Sequence, residues 1–390
     1  MKLISSTGGY SGAKMQLDFM AFPYAPSRIN LLARSLFACG LLIAASVLPA
    51  AQPAGSTMPP TPSTIVAPSG AITSGPLSIP FSHYASDEAL AQFLRDATRP
   101  PAPGLGGPID ASRRYYDAIN SDRVQRMKKL YPVEIKSERI AGVGADIVTP
   151  ASGVSAANRG RVLINLHGGA FLWGAHSGGL VESIPVASVG KLKVISIDYR
   201  QGPEATFPAA SEDVAAVYTA LLKRYKPQNI GIYGCSAGGV LTAQSVAWIA
   251  AHGLPRPGAV GTYCASLVEA WGDSAFVGPV LSGQAPVTKP LLLLDLPYFK
   301  GADPRDPLVL PGVSAGVLAN FPPTLLISGS RDFALSSVLR SHALLVQAGV
   351  DAELHVYEGM WHSFFSDPEL PESRAAYDAM VRFFDRHLGR

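Results

Sequence analysis

The sequence predicts an α/β protein built on a doubly wound, mostly parallel, eight-stranded sheet, and three observations carry that prediction. Past residue 130, short apolar runs rich in β-branched residues alternate with helical stretches, the rhythm of strands joined by crossover helices. Several of those runs are apolar on both faces, as strands buried between two helical layers must be. The pentapeptide Gly234-Cys235-Ser236-Ala237-Gly238 lies between one such run and a helix, giving a strand, a sharp turn and a helix with Ser236 at the apex.

The elements follow in chain order. Phe81 to Lys129 reads as helical, with apolar residues at three- and four-residue spacing in 87–94 and a Pro/Gly-rich break from Pro100 to Pro108 before a second helix over Ala111–Leu130. Val133–Ile140 and Gly142–Thr149 form a hairpin. Arg161–Leu166 and Lys193–Ile197 are buried strands, Phe207–Tyr225 is a helix, Ile230–Tyr233 a strand and Val240–Ala251 a helix. Ala259–Cys264, Thr324–Ser328 and Glu353–Tyr357 supply the last strands, with helices at Ser336–Ala348 and Glu372–His387. Residues 268–320, with Pro, Gly and the Leu291–Leu294 run, break the rhythm and read as an insertion between two strands.

Composition narrows the function classes. A chain of 390 residues with 47% hydrophobic and 16% charged residues is a packed globular protein. Its net charge of +3 is small and its Lys and Arg are scattered, so no nucleic-acid partner is expected. No zinc-ligand spacing is present, and neither metal nor cofactor is expected. Residues 1–51 read as a secretory signal: Arg28 and Arg34 precede the apolar run Leu36–Leu48, which ends in Pro49-Ala50-Ala51-Gln52. Export to the periplasm or medium follows, without stable membrane insertion after cleavage; an uncleaved anchor is the competing reading. Residues 52–75, rich in Pro, Ser, Thr and Ala, read as a flexible tether. Cys235 and Cys264 are too few for a disulfide framework.

The chemistry is carried by three stations. A serine hydroxyl becomes a nucleophile only when a base takes its proton and a third group holds that base. In a parallel sheet of this kind the partners arrive in the order Ser, acid, His, on loops after later strands. Asp332 follows the strand Thr324–Ser328, and His362 follows Glu353–Tyr357. Helix N-capping is the alternative role for Asp332, and a surface-loop position that for His362. The third station is His167-Gly168-Gly169-Ala170-Phe171, after Arg161–Leu166, where consecutive glycines let backbone amides approach a developing oxyanion. His167 is read as structural. Cys235 as nucleophile is disfavoured, because Gly234 and Gly238 flank Ser236 symmetrically.

With these stations and a fourth, Asp198-Tyr199-Arg200-Gln201-Gly202-Pro203-Glu204, the chain resembles the hormone-sensitive-lipase-like esterases of the α/β-hydrolase superfamily over roughly residues 130–387. The resemblance implies the α/β-hydrolase fold with a helical cap, drawn from residues 76–130 and the insertion at 268–320, over a catalytic domain of 131–390. It implies Ser236 as nucleophile, His362 as base and Asp332 as the group orienting it. It implies an oxyanion hole in Gly168, Gly169, Ala170 and Ala237, with the amides of the last three as donors. Two departures stand out: Cys235 where the family usually has Asp, and Ala170 where it usually has a third Gly. The expected activity is hydrolysis of short-chain acyl esters or lactones through an acyl-enzyme, the partner being a small ester. An amidase or peptidase with the same triad, and a non-catalytic ligand-binding homologue, are the alternatives. Phe171, Trp173 and Trp361 are expected to line the pocket, with ordinary packing as the competing role. A homodimer is left open.

Overall fold

The computed structural model describes residues 64–75 and 77–389; the signal and most of the tether lie outside the described residues. The chain divides into two compact units, 1–76 and 77–390. In the first, β1 (Ile65–Val66) and β2 (Ile72–Thr73) pair antiparallel across a turn in which Gly70 takes a φ of 82°. Part of the stretch expected to be a flexible tether is therefore paired.

The second unit opens with α1 (Asp87–Ala97), whose N-cap Ser86 accepts from the Ala89 amide, and α2 (Ile109–Leu130). The strands are β3 (Val133–Ile140), β4 (Val143–Pro150), β5 (Val162–Leu166), β6 (Lys193–Asp198), β7 (Ile230–Cys235), β8 (Ala259–Tyr263), β9 (Thr324–Gly329) and β10 (Ala352–Tyr357). They form one eight-stranded sheet in the order β10-β9-β8-β7-β5-β6-β4-β3, parallel except where β4 pairs with β3 and β6. The helices between them are α3 (Ser177–Gly190), α4 (Ala209–Leu221), α5 (Ala237–Ala251), α6 (Asp273–Leu281), α7 (Ala315–Leu318), α8 (Leu335–Gln347) and α9 (Pro371–His387).

Side chains of successive strand residues go to opposite faces, and two cores result. Val162, Ile164 and Leu166 of β5 join Val214 and Val217 of α4, Leu241 of α5 and Val338 of α8 on one face. Leu163 of β5 joins Val181 and Ile184 of α3 and Phe383 and Phe384 of α9 on the other. No helix among the described residues is long and apolar enough to cross a membrane.

The chain winds from β5 outward in both directions: to β6 on one side and to β7, β8, β9 and β10 on the other. The adjacent carboxyl ends of β5 and β7 are therefore a switch point, where loops diverge and leave a crevice. The Gly168–Phe171 loop leaves β5 and the Ser236 turn leaves β7 at that crevice.

Helix α3 has no counterpart among the elements expected from sequence. It contains Pro185 and several glycines, and most of its residues are buried, so it shows no polar face and no helical period. One glycine is there for contact: a Cβ on Gly179 would lie 2.1 Å from Ser196 Oγ of β6.

Candidate active site

Ser236 stands between the end of β7 and the first turn of α5 with φ 55° and ψ −121°, a conformation an L-residue reaches only under constraint. The constraint is visible at its neighbours. A Cβ on Gly234 would lie 2.1 Å from the Leu166 carbonyl oxygen of β5, and one on Gly238 would lie 1.7 Å from the same atom. The turn is thus wedged against the adjacent strand, and only glycine fits on either side of the serine. The first turn of α5 points its amides at the same spot, where negative charge is favoured.

The three stations meet here. His362 Nε2 lies 2.9 Å from Ser236 Oγ, and His362 Nδ1 lies 2.7 Å from Asp332 Oδ1. Asp332 is fully buried and accepts two further hydrogen bonds, from the Ala334 amide to Oδ1 and from Ser328 Oγ to Oδ2, both at 2.9 Å. Burial pushes its carboxyl upward, but the His362 imidazole and the two other donors outweigh burial and hold it below the usual carboxylate range. Phe333 stacks on the His362 ring with centroids 4.4 Å apart. The imidazole is therefore fixed in position at one edge and one face.

Beside Ser236, the loop after β5 turns on left-handed residues: Gly169 at φ 124°, Ala170 at 53° and Phe171 at 58°. At Gly169 no side chain fits, since a Cβ would fall 2.0 Å from the Trp173 carbonyl oxygen. The segment after β6 braces this loop. Tyr199 Oη donates to the His167 carbonyl at 2.7 Å and its ring stacks on the His167 imidazole at 4.4 Å. The Gly202 amide donates to the Phe171 carbonyl at 2.8 Å, and Gln201 Nε2 to the Trp173 carbonyl at 3.0 Å. His167 is fully buried, and burial lowers its pKa, which keeps the ring neutral. It is a structural part of the loop.

A cavity of about 90 Å³ lies over Ser236 and His362. Its walls are Phe171, Val240, Val268, Leu292, Leu293 and Phe333, with further apolar residues and no charged side chain. A larger cleft, about 680 Å³, runs along Glu138, Arg139, His176, Asp198 and Arg200, and holds none of the residues expected to act.

The α/β-hydrolase fold family model matches residues 163–366, more than half of the chain. The chain belongs to the α/β-hydrolase fold family. An acetyl-hydrolase of Streptomyces hygroscopicus is 30% identical over 239 residues, covering 59% of this chain and 77% of that one. Esterase E25, a solved structure, superposes with a TM-score of 0.68 at 31% identity, over 81% of this chain and 98% of its own. An esterase of the bacterial hormone-sensitive lipase family superposes with a TM-score of 0.67 at 26% identity, over 78% and 100% of the two chains.

In this α/β-hydrolase, several residues sit elsewhere than the sequence implied. Gly168, expected in the oxyanion loop but not among its amide donors, gives its amide to Glu182 Oε1 at 2.8 Å. The amides of Gly169, Ala170 and Ala237 have no hydrogen-bond partner among the described residues. Of the three aromatic residues expected at the pocket, only Phe171 lines it. Trp173 stacks flat on Tyr116 of α2 at 4.4 Å, and Trp361 packs near Phe93 of α1 at 6.2 Å. Both fasten the N-terminal helices to the loops of the hydrolase site. Of the two segments expected to form the cap, the insertion supplies cavity wall, from Val268 to Leu296, and residues 76–130 supply none.

Cys235 does not line the cavity over Ser236. Its side chain is buried on the far face of β7, with Sγ 2.8 Å from Ser363 Oγ, and burial pushes the thiol pKa up. Among the described residues, Cys264, Asp332 and His362 bring three metal-ligating atoms within 4.8 Å. Two of these are already hydrogen-bonded to each other, so a metal would have to dismantle the pair. Glu182 of α3 was absent from the sequence reading altogether. It accepts from the Gly168 amide, from Asn165 Nδ2 at 2.9 Å and from the Cys235 amide at 3.1 Å.

Proposed function

We propose that Ser236 attacks the carbonyl carbon of a short-chain acyl ester or lactone, with His362 as general base and Asp332 holding the imidazole. The chain is a carboxylic-ester hydrolase, and the observation that supports these roles is the unbroken relay from Ser236 through His362 to Asp332 at the floor of an apolar cavity. His362 Nε2 takes the serine proton as the oxygen–carbon bond forms. The free amides of Gly169, Ala170 and Ala237 receive the charge on the carbonyl oxygen. The tetrahedral species collapses to an acyl-enzyme, and His362 returns the proton to the departing alcohol. Water, activated by the same nitrogen, then frees the acid.

The cavity favours small apolar acyl groups and disfavours charged ones, because no charged side chain lies in its wall. In a series of p-nitrophenyl esters, kcat/KM is expected to be highest for acetyl to butyryl and to fall steeply toward decanoyl. A rise in kcat/KM with chain length would overturn the short-chain reading. Matched anilides separate an amidase from an esterase.

We also read the chain as exported, on the strength of Arg28, Arg34 and the apolar run Leu36–Leu48 ahead of small residues. N-terminal sequencing of the protein expressed in a bacterial host is expected to find the mature chain starting close to Gln52. Recovery of an intact leader would favour the anchored form.

A further inference from the structure

Register places Leu166 of β5 opposite Gly234 of β7, and there the ladder between the two strands stops. Past that point the strands must part, because the oxyanion loop leaves one and the serine turn leaves the other. Two backbone amides at the parting, Gly168 and Cys235, have no strand partner. One carboxylate takes both. Glu182 Oε1 accepts from Gly168 at 2.8 Å, and Oε2 accepts from Cys235 at 3.1 Å. Asn165 Nδ2 of β5 adds a third donor at 2.9 Å, and Asn165 is itself held by Ser196 Oγ of β6 at 2.9 Å.

We propose that Glu182 is a positioning residue for the oxyanion hole, its carboxylate acting as the next rung between β5 and β7 and fixing the separation of the two amide groups that form the hole. Gly168 precedes the donors Gly169 and Ala170, and Cys235 lies two residues before the donor Ala237. A single rigid, planar group therefore sets both halves of the hole. A carboxylate suits this place because every partner is an N–H donor and none is an acceptor. Glutamine would turn an NH₂ toward one of those donors, and an apolar residue would leave buried amides unpaired. The inference rests on the reading of Ser236 as nucleophile.

The ionised form is the one that accepts all three donors well. Burial opposes it and pushes the Glu182 carboxyl up to about 8, with the hydrogen bonds from Gly168, Asn165 and Cys235 pulling the other way. The titratable groups facing it are Tyr199 after β6, Tyr233 and Cys235 on β7 and Tyr263 on β8. Burial pushes each of these upward, so they stay neutral as Glu182 titrates. Hydrolysis should then gain a second ionisation step, with kcat rising as pH increases through about 8.

The test compares wild type with Glu182→Gln on p-nitrophenyl acetate, and measures inhibition of both by a trifluoromethyl ketone, which forms an oxyanion on the serine. In Glu182→Gln, kcat is expected to fall ten- to a hundredfold with KM within about twofold, because the hole acts on the transition state and not on bound ester. Ketone affinity should fall in parallel with kcat, and the step near pH 8 should vanish. Unchanged ketone affinity, a loss confined to KM, or a step that persists in the variant overturns the proposal. If the variant does not fold, Glu182→Asp carries the test: it keeps the charge but draws the carboxylate back from the Gly168 and Cys235 amides, so wild-type kcat and ketone affinity in that variant are equally fatal. Retained activity in Ser236→Ala would instead sink the nucleophile assignment, so the two failures are distinguishable.

Discussion

Ser236→Ala is expected to lower kcat on p-nitrophenyl acetate by about 10⁵- to 10⁶-fold, the scale on which loss of a triad serine removes the whole covalent route. The residual rate, about 10³- to 10⁴-fold above that of water, should come from the oxyanion amides and substrate binding. Stability should be retained, because the serine hydroxyl hydrogen-bonds only to His362 among the described residues and no glycine contact at the turn is disturbed. Cys235→Ala is the control. The thiol is buried behind β7 and outside the cavity wall, so most of the activity should persist. Activity that survives Ser236→Ala but not Cys235→Ala would reverse the two assignments.

Asp332→Ala should be the next most damaging change, lowering kcat by about 10⁴-fold, as expected when a triad carboxylate is removed. It leaves three groups facing a hole: His362 Nδ1, the Ala334 amide and Ser328 Oγ. Unpaired buried donors of this kind cost about 1–3 kcal/mol each, so the melting temperature should fall as well. Asp332→Asn should be milder on both counts. Its carbonyl can keep both N–H donors, provided its NH₂ faces Ser328, whose hydroxyl can rotate to accept. The imidazole then keeps its tautomer and loses only the charge that stabilises the imidazolium. If Asp332→Asn proves as inactive as the alanine variant, the amide has turned the other way and the tautomer has been lost. Steady-state kinetics and thermal unfolding of the two variants decide it.

The order Ser236, Asp332, His362 was legible because each follows the carboxyl end of a strand: β7 and β9 announce themselves as apolar runs, and β10 by the alternation of Leu354 and Val356 with Glu353 and His355. All eight strands of the main sheet lie within two residues of their expected positions. What escaped shares one property: it depends on contacts between elements rather than on patterns within them. Helix α3 is buried, so no polar stripe marks its period, and Glu182 went unseen with it. Trp173 and Trp361 neighbour catalytic positions in the chain, yet their rings turn outward to Tyr116 and Phe93. Gly168 stands in the oxyanion loop, but the direction of its amide is set by a helix further along the chain. The family resemblance anticipated a carboxylate at position 235. The structure holds a carboxylate beside that position, reached from α3 instead.

The Leu166 carbonyl, against which Gly234 and Gly238 both rest, has a consequence for how this protein can vary over evolutionary time. The partner in that contact is a peptide oxygen, present whatever residue stands at 166. Position 166 answers only to its apolar neighbours and is free to drift among Leu, Ile and Val, while every amino-acid replacement at 234 or 238 adds at least a Cβ where there is no room. Two positions in direct contact thus carry no shared statistical signal, since one is frozen and the other is indifferent to it. Searches for coupled substitutions would pass over the contact that shapes the serine turn most strongly.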